Sequence, residues 1–168
     1  MESVEHYFLK YAFPCAFVLV QQGKITEEKR LALETALLNK TPLDKSELEL
    51  LFPSAFRRIK QVAIQLNKPI WDRSIIEVYF KEFHNKFIDG KEGFYSKTPP
   101  SFREFCKVHR VKIIMRNETT AKVEYLEPND NINRPKHMIV KLIPNVKVGD
   151  IVFTHLGYLI EIANSNWD

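Results

Sequence analysis

Two cysteines and five histidines are the side chains of this sequence best suited to soft-metal or nucleophilic chemistry. Cys15 lies among Phe13, Ala16, Phe17 and Val18 and reads as a core residue. Cys106 stands where a helical pattern gives way to an alternating one, with His109 three residues on. A cysteine and a histidine at that spacing match metal ligands. On one strand, however, they would point to opposite faces, so chelation by this pair requires the strand to begin after the cysteine. His155 ends another alternating segment, on the face of Ile151 and Phe153. Cys106 and His155 each have two readings: a buried side chain with a packing role, or a donor to a metal or bound group. His6, His84 and His137 belong to no motif.

The other feature with chemical potential is a row of cations. Arg110, Lys112 and Arg116 line one face of the first alternating segment, and Tyr125, Phe153 and Tyr158 could stack on bases. Glu118, Glu124 and Glu127 lie nearby and dilute that field, so nucleic acid ranks below a protein as the expected partner. Catalytic signatures are missing: there is no phosphate loop, dinucleotide fingerprint, His-Glu-x-x-His or Gly-x-Ser-x-Gly. Cys106 and His155 as nucleophile and base would lack a third, orienting residue, and the expectation is a protein that is not an enzyme.

These residues need elements to position them, and the chain of 168 residues is long enough for a substantial core. Its net charge of +4 is shared evenly on either side of Cys106, which excludes a basic tail. Two cysteines in different contexts are no disulfide framework. The apolar run Tyr11 to Val20 contains Pro14 and falls short of the roughly 20 residues that span a bilayer. No small-residue cleavage site follows it, so the expectation is a reducing cytoplasm, no secretory signal and no membrane partner.

Up to about Phe105 the apolar period is helical. Thr26 before Glu27 and Glu28, Asp44 before Glu47, and Asp72 read as helix caps, and Pro53 as a helix end or start. Phe56, Ile59, Val62, Ala63 and Leu66 form one stripe, with Arg57, Arg58, Lys60 and Gln61 facing elsewhere. Ile75, Ile76, Tyr79, Phe80, Phe83 and Phe87 form another, ending at Asp89-Gly90, and Glu77 with Lys81 reads as a solvated pair. Lys91 to Pro100 reads as a loop, and Ser101 as the cap of a last turn. The period then changes to that of strands over Lys107–Arg116, Ala121–Leu126, Met138–Leu142, Asp150–Leu156 and Tyr158–Ile162, with Val111, Ile113 and Met115 on one face of the first and Arg110, Lys112, Ile114 and Arg116 on the other. Five short strands bury little as a flat sheet. The expectation is an α+β chain, with a helical bundle over residues 1–100 and a small five-stranded, OB-like β-barrel over 101–168.

Two stretches carry a resemblance. Cys106-Lys-Val-His-Arg-Val-Lys-Ile-Ile opens the β module, and Ile143-Pro-Asn-Val-Lys-Val-Gly-Asp-Ile-Val-Phe-Thr-His-Leu-Gly-Tyr-Leu-Ile-Glu161 closes it. Together they resemble the HypC/HupF family of hydrogenase-maturation chaperones over Cys106 to Ile162, and over nothing before it. The resemblance implies a HypC-like barrel and a metallochaperone that carries iron bearing cyanide and carbon monoxide to a hydrogenase-type client. It nominates Cys106 and His155 as the metal or ligand contacts, with iron held transiently and no permanently bound cofactor. On the residues alone, nucleic-acid binding and a plain protein-interaction module stay open.

Overall fold

The computed structural model of the chain describes residues 1–128 and 133–163. They divide into two compact units, Met1–Phe83 and the remainder from His84. The first is helical: α1 (Val4–Gln21), α2 (Glu27–Asn39), α3 (Lys45–Leu51), α4 (Pro53–Leu66) and α5 (Arg73–Val78), then one π-helical turn, Tyr79–Phe83. Caps set the starts as expected. Thr26 accepts from the Lys29 N–H, Asp44 from the Glu47 N–H and Asp72 from the Ser74 N–H. Pro53 opens α4 at its first position, where no intrahelical N–H is missed. Asn67, in left-handed backbone at φ 52°, ends it.

Aromatic rings fill the centre of this unit. Phe8 on α1 packs against Phe56 with ring centroids 4.6 Å apart, Phe52 at 5.6 Å, Trp71 at 5.8 Å and Phe80 at 6.0 Å. Two charged side chains lie deeper than their patterns suggest. Arg58, off the apolar stripe of its helix, is 5% exposed. It hydrogen-bonds Tyr79, whose hydroxyl burial pushes up to about 12 even though the Arg58 charge works the other way. Glu77 and Lys81 do pair, at 2.6 Å, but the lysine side chain is 2% exposed, so the pair is partly buried rather than solvated. In both cases a long aliphatic stem crosses apolar surface to bring its charge to a partner, which residue type and period do not reveal.

The second unit begins with α6 (His84–Asp89), a 3₁₀ turn (Gly93–Lys97) and α7 (Pro100–Cys106). Residues 84–100 therefore belong to the same compact unit as the strands. Pro99 flanks α7 and Pro100 occupies its first turn. Five strands follow: β1 (His109–Arg116), β2 (Thr120–Tyr125), β3 (His137–Ile139), β4 (Ile151–His155) and β5 (Tyr158–Ile162). They form a closed barrel in the order β1-β2-β3-β5-β4, with β4 returning to β1. All ladders are antiparallel except β3 with β5, which meet in parallel through Ile139 and Tyr158. The α+β class and the five-stranded OB-like barrel are those expected from the patterns.

Val111, Ile113, Ala121, Val123, Met138, Val140, Val146, Val152 and Leu159 fill the barrel. Met115 does not join them. The β1–β2 register shifts between Ile113 and Met115, and this bulge turns Met115 outward to 62% exposure. At the β4–β5 turn, Leu156 and Gly157 both hold positive φ, 45° and 83°, the backbone of a type I′ hairpin. A leucine in left-handed backbone is strained by about 1–2 kcal/mol. Leu156→Asn, which creates the Asn-Gly pair these turns favour, is expected to stabilise the barrel by about 1 kcal/mol, read as a higher urea midpoint at unchanged slope. A lower midpoint would show that leucine packing outweighs the backbone strain.

Candidate functional site

Cys106 is the last residue of α7, and β1 begins at His109. The thiol is therefore presented from a helix end rather than from a strand. It is buried, at 3% exposure. The preceding ring, Phe105, lies over the hairpin tip: a Cβ added to Gly157 would meet its Cζ at 3.5 Å. His155, two residues before Gly157, is fully buried on β4, and its neighbour Thr154 is the ladder partner of His109. Two sequence-distant candidates, Cys106 and His155, thus sit at the same end of the barrel.

A third side chain joins them. His84, from the first turn of α6, is 3% exposed, and its ring stands edge-to-face on that of His155 with centroids 4.8 Å apart. The next residue, Asn85, clamps the approach to β1: its amide donates to the Val108 carbonyl at 2.7 Å and accepts from the Val108 N–H at 2.8 Å. His84 was readable as part of the aromatic stripe of its helix, four residues after Phe80. Nothing local marked it as a neighbour of His155.

Beside this end lies a buried ionic network. Glu104 receives Arg134 Nε at 2.7 Å and Lys107 Nζ at 3.2 Å, and Lys107 also reaches Asp89 at 2.8 Å. His109 Nε2 lies 3.1 Å from the Glu104 carbonyl oxygen and 3.3 Å from its carboxylate, with Glu127 3.8 Å from Nδ1. Arg134 donates to the Glu127 and Pro128 carbonyls and lies over the Tyr125 ring at 4.9 Å. Burial is the largest influence on the Glu104 carboxyl and would raise its pKa, yet the Lys107 and Arg134 hydrogen bonds and nearby positive charge bring it below the usual value. Burial lowers that of His109 despite both glutamates. Every member of this network is engaged by another, and the arrangement fastens α7 and the segment after β2 onto the barrel. Its key partners are 30 residues apart in sequence, Glu104 and Arg134, so no local signal announced it.

His109 is thereby committed to the glutamates rather than paired with Cys106. Among the described residues, no group of three or more histidine, cysteine, aspartate or glutamate side chains is placed to hold a metal ion. No family model, curated protein or solved structure matches this chain.

Two of the three cations of the β1 row are engaged within the barrel unit. Arg110 lies 3.6 Å from Glu127, Lys112 stands opposite Glu124 across the ladder, and Arg116 donates to the carbonyls of Asn117 and Pro144. Of the rings nominated for stacking, Phe153 is 4% exposed. Tyr125 is covered by Arg134 and His109 and donates its hydroxyl to the Pro135 carbonyl at 2.7 Å. Cys15, in the first unit, keeps part of its surface accessible, yet burial pushes its thiol up to about 12 against the pull of Arg58. It stays protonated and unreactive at neutral pH. No helix is long and apolar enough to cross a membrane among the described residues.

Proposed function

We propose that this chain is a HypC-like accessory protein that binds a client protein without catalysis and holds an iron-containing intermediate transiently at the Cys106–His155 end of its barrel. The observation that supports this reading is that Cys106 and His155 lie at the same end of the barrel, next to the Phe105–Gly157 contact and the His109–Thr154 pairing. A thiolate is a strong, soft donor for low-spin iron, and an imidazole either ligates or hydrogen-bonds the bound group. Their burial, 3% and 0%, keeps water from the metal fragment, so loading and release require α7 or the β4–β5 tip to move. The engagement of Arg110 by Glu127 and of Arg116 by backbone carbonyls leaves less support for a nucleic-acid partner.

The test is the infrared spectrum of the full chain purified anaerobically from its native host, in the region where metal-bound cyanide and carbon monoxide absorb. Bands are expected in the wild type and lost in Cys106→Ser and His155→Gln. Absence of bands, with client co-purification unchanged by Cys106→Ala, would reduce the protein to a plain interaction module.

A further inference from the structure

Charge is unevenly spread over the helical unit. Residues 50–71 hold four cations and no acid, whereas the rest of Met1–Phe83 holds eight cations and eleven acids. The stretch is centred on α4, and one of its four cations, Arg58, is buried against Tyr79. The outer face of α4 carries Ser54, Arg57, Lys60, Gln61, Ile64 and Gln65, all exposed. Arg57, Lys60 and Ile64 are spaced by three and four residues, so they stand in one row along the helix. Lys68 follows just past the Asn67 cap and donates to the Ser74 hydroxyl at 2.7 Å.

Little within the unit answers these charges. Glu49 lies 3.8 Å from Lys60, but its other oxygen accepts the Trp71 indole N–H at 2.8 Å. Asp72, close enough to feel Lys68, is taken up by the Ser74 hydroxyl and N–H. Arg57 makes no ion pair among the described residues. α4 also has no acid in its first turn and no side-chain cap, so its dipole adds to the same positive potential. Ile64, between Lys60 and Lys68 along the chain, leaves 80% of its surface in water. A lone exposed isoleucine is ordinary, but set among cations without matching acids it describes a partner. That partner offers carboxylates to the cations and an apolar side chain to Ile64. Phosphates would supply the first and not the second, which ranks a nucleic acid below a protein here. We propose that the outer face of α4 docks an acidic amphipathic helix of a partner protein, with an apolar side chain on Ile64 and carboxylates facing Arg57, Lys60 and Lys68. Packed helices lie about 8–10 Å apart, a spacing at which flanking charges pair and select the partner. The proposal gives the client of the reading above a docking face and does not depend on its iron.

The test places a photo-reactive benzophenone amino acid at Gln65 of the full chain, expressed in its native host. The protein segment crosslinked there is sequenced by mass spectrometry, resynthesised as a labelled peptide and titrated against the purified chain by fluorescence anisotropy. The peptide is expected to carry aspartate or glutamate within one helical turn of an apolar residue. Its affinity should fall about tenfold or more in Ile64→Asp and in Arg57→Glu with Lys60→Glu, whereas Glu28→Lys, on α2, stays within about twofold. Wild-type affinity should also weaken as salt is raised. The substituted side chains are exposed, so an unchanged urea midpoint separates lost docking from lost fold. Capture of no segment, of nucleic acid, of a second copy or of the chain's own barrel unit overturns the proposal. So does a peptide without net negative charge, or affinity within about twofold of wild type in the doubly reversed variant. Docking without infrared bands in the native protein would keep this face and remove the iron, and bands without docking would do the reverse.

Discussion

Glu104→Ala is expected to destabilise the barrel unit by about 3–5 kcal/mol, the range for removing one partner of a buried ion pair. The Glu104 and Arg134 side chains are 7% and 9% exposed, and without the carboxylate the guanidinium keeps its burial and loses its counter-charge. Urea denaturation at pH 7 checks this, and a loss under about 1 kcal/mol would show that Arg134 finds water or another acceptor. The same network sets an acid sensitivity. Glu104 has a lowered folded pKa, so its contribution is present above its reference value of 4.5 and is lost as pH falls through the folded value. His109 is also lowered from 6.5, so the unfolded chain takes up that proton first and stability falls as pH drops below that point. Lys107, raised above 10.5, matters only in strong alkali. The gap in urea midpoint between wild type and variant should therefore narrow on going from pH 7 into the acid range below the Glu104 reference value.

Phe8→Ala is expected to cost the helical unit about 3–5 kcal/mol, the transfer loss plus that of a cavity ringed by stiff side chains. Phe8 is fully buried and touches Phe52, Phe56, Trp71 and Phe80, which belong to different parts of the unit. Rings cannot collapse into the gap as aliphatic chains do. Hydrogen exchange should register the loss in peptides from α1 and α4. Phe8→Leu, which keeps most of the volume, should cost clearly less. Equal effects of the two substitutions would mean that ring packing is not the source of the stabilisation.

Much of this architecture was legible because it is local. Thr26, Asp44 and Asp72 mark helix starts through hydrogen bonds made within three residues, Pro53 does so through its fixed backbone, and the alternation over β1 reports a half-buried ladder. What escaped depends on partners distant in sequence. The burial of Arg58 was not legible because its partner Tyr79 lies on another helix, and Met115 was placed on the face of Val111 and Ile113 because a bulge is a property of two strands, not one. The candidate site divides the same way. Cys106 and His155 were nominated through their motifs, whereas His84, Asn85, Glu104 and Arg134 gain meaning only once the barrel brings them together.

The closure of the barrel has a further consequence for a chain made from its N-terminus. β1 finds one partner at once, in β2, but its other edge waits for β4, as with Lys112 and Ile151, about forty residues later. At synthesis rates of roughly 5–20 residues per second, that edge stays unpaired for about 2–8 s. During that interval the nascent hairpin presents hydrogen-bonding groups that a neighbouring chain could capture. Lys112 and Arg116 lie along this vulnerable strand, and their like charge on every copy repels such capture until the last strands emerge.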